Sequence, residues 1–127
     1  MRTIAFCILS AALLISSIAG GAEIQVSSNL QAAIDAALPG DTLQVAAGVY
    51  DKITVQKSLN LVGSGAVIRA GNRDACVNID ADGVNISGFL VRDGFYGIKL
   101  NYVKGCTVAN NTVIHCAQPG IALKNDL

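Results

Sequence analysis

One short phrase returns along this chain at nearly constant spacing, and it restricts the fold more than any other feature. It reads Ala75-Cys-Val-Asn-Ile79, then Tyr96-Gly-Ile-Lys-Leu100, then Pro119-Gly-Ile-Ala-Leu123. Val77, Ile98 and Ile121 recur about every 22 residues, and a period in this range means one supersecondary unit stacked on copies of itself. A second phrase keeps the same beat, with Gly83-Val-Asn-Ile86 returning one period later as Gly105-Cys-Thr-Val108.

The first residues stand apart from the array. Arg2 supplies a positive start, Ile4 to Ile18 is an apolar run, and Ala19-Gly-Gly-Ala22 offers small residues suited to cleavage. That layout predicts a secretory signal peptide over 1–22. As a helix the run rises only about 22 Å, short of the roughly 30 Å a membrane core requires. No later segment is apolar enough to leave a stable membrane span after cleavage. The expected location is secreted, periplasmic or cell-surface. Basic and acidic residues number nine each. They are scattered, so no basic patch points to nucleic acid.

Residues 23–127 read as one domain. Ser27-Ser-Asn29 supplies a helix cap, and Leu30, Ile34 and Leu38 fall on one apolar face before Pro39-Gly40. A helix over about 29–38 would cover the front of the first coil. From Thr42 onward apolar-polar-apolar triplets alternate with Gly, Asn and Asp bends, including Asp80-Ala-Asp-Gly83, Asp93-Gly94 and Asn110-Asn111. Three short strands per period predict an all-β fold, a right-handed parallel β-helix of about four coils. Val77, Ile98 and Ile121 should stack inward, as should Ile79, Leu100 and Leu123. A leucine-rich repeat would need a fixed leucine phrase and further helices, and an antiparallel sandwich would leave the period unexplained.

The run Leu30-Gln-Ala-Ala-Ile-Asp-Ala-Ala-Leu-Pro-Gly-Asp-Thr-Leu-Gln-Val-Ala-Ala-Gly-Val-Tyr50 resembles the opening of pectin-lyase-like proteins. Ile53 to Gly63 and Ile79 to Phe89 are similar to right-handed β-helix repeats of the NosD-type, or carbohydrate-binding and sugar-hydrolysis, group. The resemblance spans nearly all of 24–123. It implies a β-helix, but the fold hosts lyases, hydrolases, adhesins and surface proteins alike.

The resemblance implies an acidic cluster with Ca²⁺ if the chain is a polysaccharide lyase, or grouped aspartates with a histidine if it is a glycoside hydrolase. Asp80 and Asp82 are the acidic pair, and they read as bend-shaping residues. Asp93 and His115, the only histidine, lie one period apart and should be stacked neighbours. They are the catalytic candidates, since a carboxylate beside an imidazole can orient a base. A NosD-like periplasmic role implies copper, for which Cys106, His115 and Cys116 include the soft donors, of which only two could converge easily, while Asp80 and Asp82 are the acidic candidates for a metal such as Ca²⁺. Cys106 takes the inward slot of Val84. Cys76, Cys106 and Cys116 are expected to be free and mostly buried, because Cys76 and Cys116 fall about two rungs, roughly 10 Å, apart. Phe95, Tyr96 and Tyr102 are candidates for stacking on polysaccharide. Phe89 shares its slot with Asn111. Asn85-Ile-Ser87 and Asn110-Asn-Thr112 fit the glycan-acceptor pattern.

The residues therefore favour an exported, non-catalytic carbohydrate-binding or structural β-helix with no cofactor. Nothing at Asn125-Asp-Leu127 resembles a cap. The C-terminal edge is expected to need further chain or a partner, as the N-terminal part of a longer protein would.

Overall fold

The computed structural model describes residues 21–71, 74–118 and 120–124. The apolar run Ile4–Ile18 of the expected signal peptide and the closing residues 125–127 lie outside them. The described elements are β1 (Glu23–Val26), α1 (Leu30–Ala36), β2 (Thr42–Val45), β3 (Gly48–Asp51), β4 (Ile53–Val55) and β5 (Asn60–Arg69). They continue as β6 (Val77–Ile79), β7 (Asn85–Arg92), β8 (Ile98–Asn101), β9 (Thr107–Ala109), β10 (Thr112–Ile114) and β11 (Ile121–Lys124).

Every strand pairing among them is parallel. One sheet runs β1-β2-β5-β7-β10, with β3 also on β5 and β9 also on β7. The other runs β4-β6-β8-β11. The result is a β-solenoid of about four coils. The ladder Val77↔Ile98↔Ile121 and the ladder Ile79↔Leu100↔Leu123 form in the expected register. The beat is less regular than the phrases imply. Thr42, Asn60, Asn85 and Thr107 occupy equivalent positions, so the first coil is short and the second long.

Left-handed backbone recurs with the same beat. Gly83 and Gly105 have φ of 70° and 69°, Gly88 and Asn110 82° and 56°, and Asp93 and His115 60° and 56°. Each pair marks one corner on two successive coils. Gly, Asn, Asp and His are the residues that enter this region at least cost. β7 runs through its Gly88 corner without a break, and β5 crosses its own bend at a register shift between Val62 and Ala66. β3 is a strand that the triplet pattern does not reveal, because Gly48 and the exposed Val49 interrupt the alternation.

The core is the inside of the tube. Leu43, Leu61, Ile86, Ile53, Val77 and Ile98 are essentially inaccessible. Phe89 also points inward. Asn111, one coil on in the same slot, turns inward to accept from Phe89 N at 3.0 Å and to donate to Ile86 O at 2.9 Å. A polar side chain is tolerated there because it satisfies two backbone groups of the coil beneath.

The front is closed. Asn29 caps α1 by accepting from Ala32 N at 3.3 Å. The helix ends at Ala36, short of where its apolar spacing points. Leu38 falls beyond it and is 52% exposed, while Ala37 packs inward instead. Gln31 accepts from Thr54 N at 2.7 Å and donates to Thr54 O at 3.0 Å. It stands in for a neighbouring strand and satisfies the open edge of β4. Asp41, only 3% exposed, accepts from Ala22 N and Leu38 N and ties β1 to the end of α1. Lys57 donates to the Asp35 and Ala37 carbonyls, the helix end where a cation is favourable.

The back is open among the described residues. Ile121 is 52% exposed and Leu123 63%, although both lie in the inward register. Val103, Cys106, Val108 and Val113 are only partly covered. Residues expected to be core thus end as an apolar face, because a solenoid side chain is buried only when the next rung lies on it.

Candidate functional site

The structure gathers some of the sequence candidates and separates others. The aromatic residues are gathered. Phe95 and Tyr96 stand edge to face, with ring centroids 4.9 Å apart. They precede β8, whose alternation turns Ile98 and Leu100 inward and Lys99 outward. The Lys99 ammonium lies 5.3 Å from the Tyr96 ring centroid. At the other end of β8, Tyr102 is 57% exposed, with Lys124 from β11 at 5.6 Å from its ring. Two tyrosines, each with a cation on its face, therefore bracket one outward strand. Each cation is attracted to the electron-rich face of its ring. The two lysines join the candidate rings only in the structure, and sequence reading missed them. Lys124 reaches Tyr102 only through the β8–β11 pairing, and no local signal announces it.

Asp93 and His115 occupy adjacent rungs, as their spacing predicts, since Arg92 pairs with Ile114. The two do not form a dyad. Among the described residues no hydrogen bond joins them, and the Asp93 carboxylate lies 3.3 Å from the Arg92 guanidinium. Both are corner residues whose left-handed backbone turns the chain.

The metal candidates are dispersed. Asp80 accepts from Asn101 Nδ2 at 2.7 Å, and Asp82 accepts from Lys104 N at 2.9 Å. Both tie their bend to the coil above. His115 and Cys116 sit at a different corner, after β10. Among the described residues no group of three or more metal-ligating side chains converges. A depression of about 510 Å³ lies beside the start of α1, lined by Asn29, Gln31, Tyr50 and Asp51 among others. It contains none of the candidates.

The three cysteines among the described residues, Cys76, Cys106 and Cys116, are free, but only Cys76 is fully buried. Cys106 packs half-covered against the core, and Cys116 is half-buried as well. They are less buried than expected because both lie on the last described coil. Cys76 donates to Arg92 O at 3.2 Å and fills the space left by the missing side chain of Gly94, whose Cβ would stand 2.7 Å from the sulfur. Burial, and then the neighbouring Cys116, push the Cys76 thiol up from an ordinary 9.0 to about 11. For an acid raised in this way, the folded chain keeps its proton while the unfolded chain loses it. Stability is therefore unaffected by this group below about pH 9 and falls between pH 9 and about 11, by about 2–3 kcal/mol in all. Urea midpoints measured from pH 8 to 11 should decline more steeply in the parent chain than in Cys76→Ala. Equal slopes would show that the thiol is not desolvated.

No family model matches the chain, and no solved structure is detectably similar to it. Among curated proteins, a cell surface glycoprotein of Methanothermus fervidus is 37% identical over 109 residues. That match covers 77% of this chain and 18% of the relative, so the chain spans under a fifth of the curated protein it matches.

Proposed function

We propose that the chain is an exported β-helix module of the cell surface, non-catalytic, which binds polysaccharide along the outer face of β8. The observation that carries this reading is the pair of tyrosines, Tyr96 and Tyr102, held at the two ends of one outward strand. Flat aromatic rings supply the apolar surface on which a sugar face packs, and an extended glycan suits a flat, ridged sheet. Lys99 and Lys124 shield the rings in the free protein, so a sugar must displace them or lie beside them.

Surface location is supported by the leader over 1–22, with 23–127 as the mature domain, and by the name of the Methanothermus relative. A right-handed coil of the pectin-lyase-like kind is supported by the all-parallel pairing, since crossovers between parallel strands are right-handed in about 98% of cases. A non-catalytic role is supported by the engagement of Asp80, Asp82 and Asp93 in contacts that shape corners.

Glycan-array and calorimetric binding of the purified chain test the reading. Tyr102→Ala, at an exposed ring, is expected to weaken binding by about ten-fold, the equivalent of about 1.4 kcal/mol. Tyr96→Ala should add to it. Glycan binding that survives both substitutions would place the ligand elsewhere, and no binding to any glycan would leave a purely structural role.

A further inference from the structure

Two tripeptides fit the glycan-acceptor pattern, Asn85-Ile86-Ser87 and Asn110-Asn111-Thr112. We infer that Asn110 is the residue of the folded chain that carries an N-linked glycan, and that Asn85 is not. The inference rests on the reading of the chain as an exported surface protein.

The two asparagines differ in what their side-chain nitrogens already do. Asn85 lies in the first rung of β7, with Asn60 below and Thr107 above. Its Nδ2 donates to Asn60 Oδ1 at 2.7 Å, and Asn60 donates in turn to Thr42 Oγ1 at 3.3 Å. The acceptor nitrogen is thus committed to a ladder that runs across coils. Its partner hydroxyl, Ser87, is half-buried.

Asn110 sits at the corner between β9 and β10, in left-handed backbone with φ of 56°. Its carbonyl accepts from Gly88 N at 3.1 Å, which holds the corner in place. Its side chain is exposed and makes no hydrogen bond among the described residues. Asn111 is turned inward and anchored by its two bonds to Phe89 and Ile86. The residues on either side of it, Asn110 and Thr112, are both exposed, so the amide and the hydroxyl are open to solvent. A transferase needs this presentation, an accessible corner with a free amide and a free hydroxyl at the third position of the pattern.

The chemistry balances with a lipid phosphate-linked oligosaccharide as donor. Asn110 Nδ2 bonds to C1 of the first sugar as the bond from C1 to the phosphate oxygen breaks. The amide nitrogen gives up one proton to solvent, and the lipid phosphate departs with the bonding electrons.

The test uses the purified, folded full chain with an archaeal oligosaccharyltransferase and its lipid-linked donor, read by intact mass and glycopeptide mapping. One glycan on Asn110 is expected. Asn110→Gln and Thr112→Ala should each remove it, Thr112→Ser should retain it, and Asn85→Gln should leave it unchanged. Thr112→Ala leaves the corner residue in place, so loss of product there is not a folding defect. A chain that gains no glycan, or gains it on Asn85, would overturn the inference. Export and sugar binding are read separately, from leader cleavage and the glycan array, so failure of either is distinguishable from failure here.

Discussion

Gly88→Ala is expected to destabilise the chain by about 3 kcal/mol or more, a large part of the roughly 5–15 kcal/mol that holds a domain together. Gly88 has a φ of 82°, where an L side chain costs about 1–2 kcal/mol. An added Cβ would also press into the backbone of Gly63, on the coil beneath. The approach is mutual, since a Cβ on Gly63 would meet Gly88 O at 2.8 Å. Both obstacles are backbone, so neither can swing aside, and the two coils would have to separate where β5 and β7 bend together. Gly105→Ala is the control. Its φ is 69°, yet the nearest atom to its Cβ would be Gly83 N at 3.9 Å, so strain alone acts, at about 1–2 kcal/mol. Urea unfolding of the two variants separates strain from contact. Equal losses would mean that the coils do not approach as closely as the structure places them.

The ladder Val55, Ile79, Leu100 and Leu123 offers the second large effect. Its members are 0%, 0%, 9% and 63% exposed along the stack. Ile79→Ala removes fully enclosed methyl groups between two rungs and should cost about 3–4 kcal/mol. Leu123→Ala removes groups already facing water and should cost under about 1 kcal/mol in the isolated chain. The same apolar slot, occupied twice, would give a several-fold difference in cost. A large loss for Leu123→Ala would show that the open end is covered in solution by a second copy. Light scattering at two protein concentrations checks this, because association between copies depends on concentration.

Most of the scaffold was legible in the residues. The triplets of alternating apolar side chains could only be satisfied by stacked strands, and the recurring Gly, Asn, Asp and His mark corners that need left-handed backbone. Val77, Ile98 and Ile121 therefore took their rungs as read. The front cap was legible in outline from Leu30 and Ile34, but not in detail. Leu38 continues the helical spacing, yet Ala37 leaves the helix in extended backbone, its N–H still bonded to Ala33 O and Ile34 O, and Leu38 turns out to water. β3 was not legible, since its pairing with β5 rather than its own pattern makes it a strand.

The candidate site was less legible than the fold. A spacing of one period put Asp93 beside His115, and the structure agrees on the rung. It could not say that the carboxylate would turn to Arg92, which is decided by side-chain rotamers at a corner. Nor could spacing reveal that Lys124 covers Tyr102, or that Gln31 closes the edge of β4. Those contacts join residues far apart in the chain, and they arise only after the coils are in register.

The sequence by itself thus determined the repeating unit, its corners and its inward ladders. These follow from local physics that every coil repeats: side-chain alternation, backbone handedness and the need to bury apolar faces. Tertiary structure alone decided which members of those ladders are truly buried, which asparagine of two acceptor patterns is free, and which cation meets which ring. The reason is that each depends on what lies on the neighbouring rung, and a rung's neighbour is set by stacking rather than by the residues beside it in the chain.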